Sequence, residues 1–427
     1  MDTIFALATA QGRAGVAVIR ISGPGAFDVA HVLIGDVPAP RLASLRKVRD
    51  VDGTIIDEAL VLAFSGPASF TGEDVVELHL HGSPAITRAV LRRLGQLDAR
   101  LAEPGEFTRR ALENDKMDLL QVEALGDLIS AETEAQRRQA MRGYDGAFTA
   151  RIEKWRTDLI RAAALIEATI DFADEDVPVD VSPEVEQLLS GVRRDIQTEL
   201  SGFDAAERVR SGFEVAIVGA PNAGKSTLLN ALARREAAIT SHHAGTTRDV
   251  IEVQMDLGGL PVTLLDTAGL RDTDDEVEAE GVARAKSRAA AADIRVFLSD
   301  GSDTLPLAPE PDDVVLAPKA DLRSDDVPAV SGKTGTGVQD LMDRLSVALA
   351  DRASGAGLAT QERHRIALSA AQADLSAAMA KVENGPDLYD IAAEDIRIAT
   401  RALAVLIGRV DVEHLLDEVF ASFCLGK

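Results

Sequence analysis

Residues 219–226 read GAPNAGKS, and the run that leads into them, FEVAIVG at 213–219, is apolar with β-branched residues at alternate positions. This is a strand entering a phosphate-binding loop, and TLLNALA at 227–233 continues as the start of a helix. The glycines let backbone N–H groups turn inward onto phosphate oxygens, and the helix N-terminus adds the positive end of its dipole. Lys225 is placed to reach the β- and γ-phosphates, and the Ser226 hydroxyl to take a Mg²⁺ position. A Gly-rich turn with a surface lysine would look the same in isolation. The strand before the loop and the helix after it argue against that reading.

The order of the downstream motifs points to GTP. GTTRD stands at 245–249, and PVTLLDTAG at 261–269 is a buried strand ending in Asp-x-x-Gly. Asp266 can hold the Mg²⁺ shell, the Gly269 amide can sense the γ-phosphate, and Thr247 is the natural switch threonine. PKAD at 318–321 occupies the place of a guanine-reading N-K-x-D, and SGKTG at 331–335 the place of the loop behind the base. Asp321 can accept from both guanine N–H donors, which adenine does not offer in that arrangement. Pro318 departs from the pattern, because proline has no side-chain amide. An ATP-using P-loop protein therefore stays open as an alternative.

Leu270 follows the Asp-x-x-Gly where a water-orienting glutamine is usual, so hydrolysis needs another route. The acidic stretch RDTDDEVEAE at 271–280 offers carboxylates, although such a run also reads as a solvated face. Asn222 offers an amide oxygen near the β-phosphate, where a monovalent cation would supply charge.

Longer motifs lie outside the nucleotide segment: DTIFALATAQGRAGVAVIRISGP at 2–24, SFTGEDVVELHLHG at 69–82, ARLAEPGEFTRRALENDKMDL at 99–119 and FCLGK at 423–427. On these the chain resembles, over essentially its whole length, the MnmE (TrmE) family of bacterial tRNA-modification GTPases, with Ala10 where a proline is common. The resemblance implies a nucleotide site made of Asn222, Ala223, Gly224, Lys225, Ser226, Thr227, Ser241, His242, His243, Ala244, Gly245, Thr246, Thr247, Asp266, Thr267, Ala268, Gly269, Lys319 and Asp321. It implies K⁺ held by Asn222, Ser241, His243 and Thr246, Mg²⁺ on Ser226 and Thr247, and Glu278 as the catalytic, water-activating carboxylate. Arg20, Glu77, Lys116 and Lys427 match positions that bind a tetrahydrofolate derivative, 5-formyl or 5,10-methylene. A pterin's amide-like face suits one carboxylate, and a glutamate tail suits Arg or Lys. Without the resemblance, Arg20 and Glu77 read as ordinary surface charges. The implied assembly is a homodimer working with an FAD-containing partner of the MnmG (GidA) type as a heterotetramer. The implied reaction places an aminomethyl-type group on the wobble uridine of tRNA. A GTP-driven assembly switch without folate chemistry shares the nucleotide motifs but leaves 1–117 and FCLGK without a role.

With 427 residues and 46% hydrophobic content the chain can bury several cores, and with 4% aromatics those cores are aliphatic. Acidic residues outnumber basic ones to a net charge of −25, which repels a polyanion at long range, so a broad RNA-binding face is not expected and a partner should supply much of any tRNA contact. Arg41, Arg46, Lys47 and Arg49, and Arg137, Arg138 and Arg142, are local exceptions that read as solvated faces. No 18-residue apolar run and no basic-then-apolar leader is present, and a single cysteine, Cys424, excludes an internal disulfide. A cytoplasmic protein with no membrane partner is expected.

The fold expected is multidomain. Residues 1–117 alternate short strands (VAVIRIS, ALVLAF, DVVELHLHG) with one helix-like run, PAITRAVLRRLGQL, and read as an α+β domain. From 118 to 212 the period is helical: Trp155, Leu159, Ala162, Ile166 and Ile170 form one stripe, and SPEVEQLLSGVRRDIQTEL opens with Ser182 as N-cap. An α/β P-loop GTPase domain at 213–351 is inserted in this α-helical domain, which resumes over 352–427. DFADEDVPVD at 171–180 and DRASGAGLAT at 351–360 are the expected connections.

Overall fold

The computed structural model describes residues 2–171, 181–234, 251–266, 286–301, 305, 307–409, 420 and 426. Two compact units divide the chain, one of Met1–Gly126 with Ala404–Lys427, the other of Asp127–Leu403.

The first unit is built on six strands: β1 (Ile4–Leu7), β2 (Val16–Ser22), β3 (Ser44–Arg49), β4 (Ile55–Phe64), β5 (Val75–His81) and β6 (Arg100–Leu101), in the order β3-β4-β5-β2-β1-β6. Period-2 patterning decides which face is covered. In β2, Ala17, Ile19 and Ile21 are buried while Val18 and Arg20 alternate with them on the other face. The buried face packs on α1 (Ala26–Ile34) and α2 (Pro84–Leu94), whose Val29, Leu33, Val90 and Leu94 share one core with Ile19, Val61 and Leu78. α2 starts as the sequence suggests, with the Ser83 side chain accepting from the Ala85 amide and Pro84 in the first turn. Two helices go beyond the single one expected here: α1 and α3 (Glu106–Glu113). α3 buries Glu106 and Arg110 beside Phe107 and Ala111, so charged residues interrupt the apolar face it turns inward.

From 119 the chain is helical: α4 (Leu119–Ser130), α5 (Glu134–Tyr144), α6 (Ala147–Asp171), α7 (Ser182–Ser201) and α8 (Phe203–Ser211). Trp155, Leu159, Ala162 and Ile166 of α6 are fully buried, as their spacing requires, but Ile170 at the end of the stripe is 41% exposed. Ser182 is the first residue of α7 rather than its cap: Val181 takes that position, and the Ser182 hydroxyl bonds the Tyr389 hydroxyl at 2.6 Å.

The second sheet has the order β12-β11-β10-β7-β9-β8, from β7 (Phe213–Gly219), β8 (Ile251–Leu257), β9 (Leu260–Asp266), β10 (Ile294–Leu298), β11 (Val314–Pro318) and β12 (Ala329–Val330). All neighbours are parallel except β8 with β9. β10 is buried at every residue and β9 at all but Thr263, which is how a parallel sheet covered on both faces reads. α9 (Lys225–Ala233) and α10 (Val338–Ala353) close one side: Leu228, Leu229, Leu232, Leu341, Leu345 and Leu349 share a core with Val215, Ile217 and Val262. Val209 of α8 belongs to the same core, and Ala135 of α5 packs against it. α11 (Glu362–Glu383) then packs on α7, burying Leu368, Ala371 and Leu375.

Candidate functional site

β7 lies between β9 and β10, the point where strand order reverses, and its carboxyl end opens into the loop at 219–224. Ligands of open α/β sheets bind at such a point, outside the carboxyl ends of the strands. Register sets the neighbours: Ile217 is opposite Asp266 of β9, and Gly219 opposite Leu298 of β10. Asn222 holds a left-handed conformation at φ 61° and Gly224 another at φ 95°, turning the chain into α9.

Lys225 is buried, and its ammonium donates to the loop's own carbonyls, Gly219 O at 2.9 Å and Ala220 O at 3.2 Å. Ser226 Oγ donates to Asp266 Oδ2 at 2.6 Å. Asp266 is 3% exposed, and its Oδ1 is buried with no hydrogen-bond partner among the described residues. A buried, unpaired carboxylate oxygen beside a hydroxyl is a costly arrangement for a folded chain and a suitable one for a hard divalent cation. The donor set therefore fits Mg²⁺.

A cavity of about 330 Å³ adjoins the loop. Its lining includes Asn222, Ala223, Gly224 and Thr227, then Lys319 and Asp321, and Ser331, Gly332 and Lys333, so the loop meets two neighbouring segments about 100 residues further along the chain. Ser331 Oγ donates to Asp321 Oδ1 at 2.6 Å. That bond, with Lys333 and Lys319 nearby, holds the Asp321 carboxyl below the ordinary aspartate range. Asp321 is thus an acceptor at neutral pH. The segment holding Ser331 sits tightly on α9: a Cβ on Gly332 would come within 2.6 Å of Leu228 N and of Thr227 C and O.

In the first unit, Arg20 and Glu77 face each other across β2 and β5. Arg20 Nε and Nη2 both donate to Glu77 Oε1, at 3.0 and 2.9 Å. The guanidinium lies over the rings of Phe70, at 4.9 Å, and Phe107, at 5.5 Å. Glu77 Oε2 faces His79 Nε2 at 3.4 Å. Lys116 is exposed and reaches the same 70–72 segment at Gly72, where its Cδ would lie 3.4 Å from an added Cβ. Gly426, at φ 94°, lies against Leu7 and Ala8, so closely that a Cβ would stand 2.0 Å from Leu7 O. Leu7 follows Ala6, the residue directly opposite Arg20. The chain thus comes back to the strand beside this cluster.

Of the expected nucleotide contacts, Asn222, Ala223, Gly224, Thr227, Lys319 and Asp321 gather at the cavity, and Lys225, Ser226 and Asp266 gather at the loop. Ser241, His242, His243, Ala244, Gly245, Thr246, Thr247, Thr267, Ala268, Gly269, Glu278, Cys424 and Lys427 lie outside the described residues. Sequence reasoning passed over Ser331 as the holder of Asp321, and His79, Phe70 and Phe107 around the Arg20–Glu77 pair. His79 carried a signal, since it stands two residues from Glu77 on one strand and so shares its face.

The sheet order, the loop at the switch point and the Ser226–Asp266 contact define a P-loop protein with the fold of the GTPases. Its two family matches extend beyond that segment: "GTP-binding protein TrmE N-terminus" over residues 3–116 and "MnmE helical domain" over 119–424. The chain is 61% identical to a protein of Roseobacter denitrificans and 62% identical to one of Ruegeria pomeroyi, each alignment covering 100% of both chains and each protein named "tRNA modification GTPase MnmE". The chain belongs to the MnmE/TrmE family. Among the described residues no helix is long and apolar enough to cross a membrane.

Proposed function

We propose that the chain is a GTP hydrolase of tRNA modification, organised as a folate-binding and dimerisation domain at 1–117, a helical domain at 118–212 and 352–427, and a GTPase domain inserted at 213–351. The observation that carries the nucleotide half is the Ser226–Asp266 pair with its unpaired buried Oδ1, set beside a cavity that unites the loop, Asp321 and Ser331. Lys225 leaves the loop carbonyls for the β- and γ-phosphates, the loop N–H groups and the α9 N-terminus take the remaining phosphate oxygens, and Asp321 accepts from the guanine N–H donors. Ser226 and Thr247, with Asp266 in the surrounding shell, would hold Mg²⁺, which when bound would supply positive charge at the transferred phosphoryl group. Glu278 orients the attacking water, and Asn222, Ser241, His243 and Thr246 would hold K⁺, whose added charge at the phosphates would stimulate hydrolysis.

The tRNA half rests on full-length family membership and on the paired Arg20 and Glu77. Glu77 accepts from the amide-like edge of a tetrahydrofolate derivative, while Arg20, Lys116 and Lys427 supply the cations for its anionic tail. When bound, such a folate would supply a one-carbon unit. As a homodimer with an FAD-containing partner, the chain helps install a (carboxymethyl)aminomethyl group at C5 of the wobble uridine of certain tRNAs in the cytoplasm. With a net charge of −25, the chain leaves most of the tRNA contact to that partner.

Nucleoside analysis of tRNA from cells lacking the gene tests the reading. The wobble modification is expected to disappear, to return with the wild-type gene and to stay absent with Asp266→Ala. A deletion strain with unchanged wobble uridines would refute it.

A further inference from the structure

We propose that this chain recognises guanine by one edge of the base only, Asp321 reading the N1–H and 2-amino donors while N7 goes unread because proline occupies position 318. The proposal rests on the guanine reading above and deepens it. Guanine presents donors on one side and the acceptors O6 and N7 on the other. An ionised carboxylate only accepts, so Asp321 matches the donor side and nothing else. Reading N7 requires a donor, and position 318 has none to give: proline lacks both a side-chain donor and a backbone N–H.

Among the described residues that line the cavity, Lys319 and Lys333 also carry side-chain donors, and N7 is assigned to neither. Pro318 ends β11 directly opposite Val330 of β12, and Val330 and Lys319, its cross-strand and sequence neighbours, both line the cavity. Lys319 takes a left-handed conformation at φ 59° and swings the chain into the turn that carries Asp321. The hydroxyl of Ser331 is already committed to Asp321 Oδ1 at 2.6 Å. Asn222 and Thr227 stand with the phosphate loop and the first turn of α9. Selection of guanine is thereby concentrated on one carboxylate and the serine that fixes it.

Diphosphates avoid turnover, so titration calorimetry of the full-length protein with Mg²⁺ and GDP, 7-deaza-GDP, IDP and ADP gives the test. Removing N7 is expected to leave affinity within about threefold of GDP, whereas IDP, which lacks the 2-amino group, should bind roughly tenfold or more weaker. Pro318→Asn should tighten GDP by about three- to tenfold, one added hydrogen bond, and leave 7-deaza-GDP where it was. A wild-type loss beyond about threefold on removing N7 overturns the proposal and leaves the guanine reading standing. ADP bound as tightly as GDP defeats the guanine reading itself.

Discussion

At Asp266 one carboxylate oxygen is taken by Ser226 and the other is buried without a partner among the described residues. Such an atom costs on the order of 1–3 kcal/mol until something coordinates it, which ties the residue to the cation rather than to the fold. Asp266→Asn keeps an acceptor for Ser226 and removes the charge. The variant is expected to bind GDP about as well as wild type in EDTA, and to lose the gain in affinity, roughly tenfold or more, that wild type shows when Mg²⁺ is added. An unchanged Mg²⁺ response would place the metal elsewhere. The role proposed for Glu278 is an interaction made mainly in the transition state, which affects turnover and not ground-state binding. Glu278→Ala should bind GTP normally and hydrolyse it on the order of 10²-fold more slowly, as read by single-turnover phosphate release.

Elements meet through contacts that sequence period does not reveal. The β7 strand, the loop and α9 were legible because strand, glycine spacing and helix start are consecutive, at 213–233. The Ser331–Asp321 bond and the approach of Gly332 to Thr227 join segments about 10 and 105 residues apart, and only the folded sheet brings them together. α3 escaped for another reason. Its buried face carries Glu106 and Arg110, which are admitted to the interior only because they pair: Arg110 donates to Glu106, to both oxygens of Glu73 and to Asp2, while Arg100 also bonds Glu106 and Asp2. Gly332→Ala would force a Cβ into backbone atoms of α9, and is expected to cost about 1–3 kcal/mol in denaturant unfolding and to weaken nucleotide binding with it. In the ion network, burial pushes the Glu106 carboxyl up, but bonds from Arg100, the Glu103 amide and Arg110 outweigh it and hold it below the usual range. Asp2 is held low as well, chiefly by Arg100. A carboxyl lowered in the folded state contributes stability above its unfolded pKa of about 4, and that contribution fades as pH falls through the lower folded value. Protection factors of the β2 and β5 amides should therefore fall below about pH 4, and Arg110→Gln, which removes the guanidinium that Glu73 and Glu106 share while Arg100 still bonds Glu106, should destabilise the unit by roughly 1–3 kcal/mol at neutral pH.

Over the whole molecule, the nucleotide core and the Arg20–Glu77 cluster belong to different compact units. The nucleotide core is built from residues between Val209 and Leu349, with Ala135 and Ala353 packed on it. Gly426 instead lies against Leu7 and Ala8, next to the strand position opposite Arg20, in a conformation and a space that only glycine fits. If the sites are energetically separate in this way, damage at 423–427 should divide the activities. Gly426→Ala and deletion of 423–427 are each expected to abolish binding of a reduced folate in calorimetry and restoration of the modified wobble uridine in a deletion strain. Both variants should hydrolyse GTP at close to the wild-type rate, with higher turnover in potassium than in sodium chloride at matched ionic strength. A variant that lost hydrolysis together with folate binding would show that the segment supports the nucleotide unit. One that restored tRNA modification would remove the folate cluster, and Lys427 with it, from the reaction.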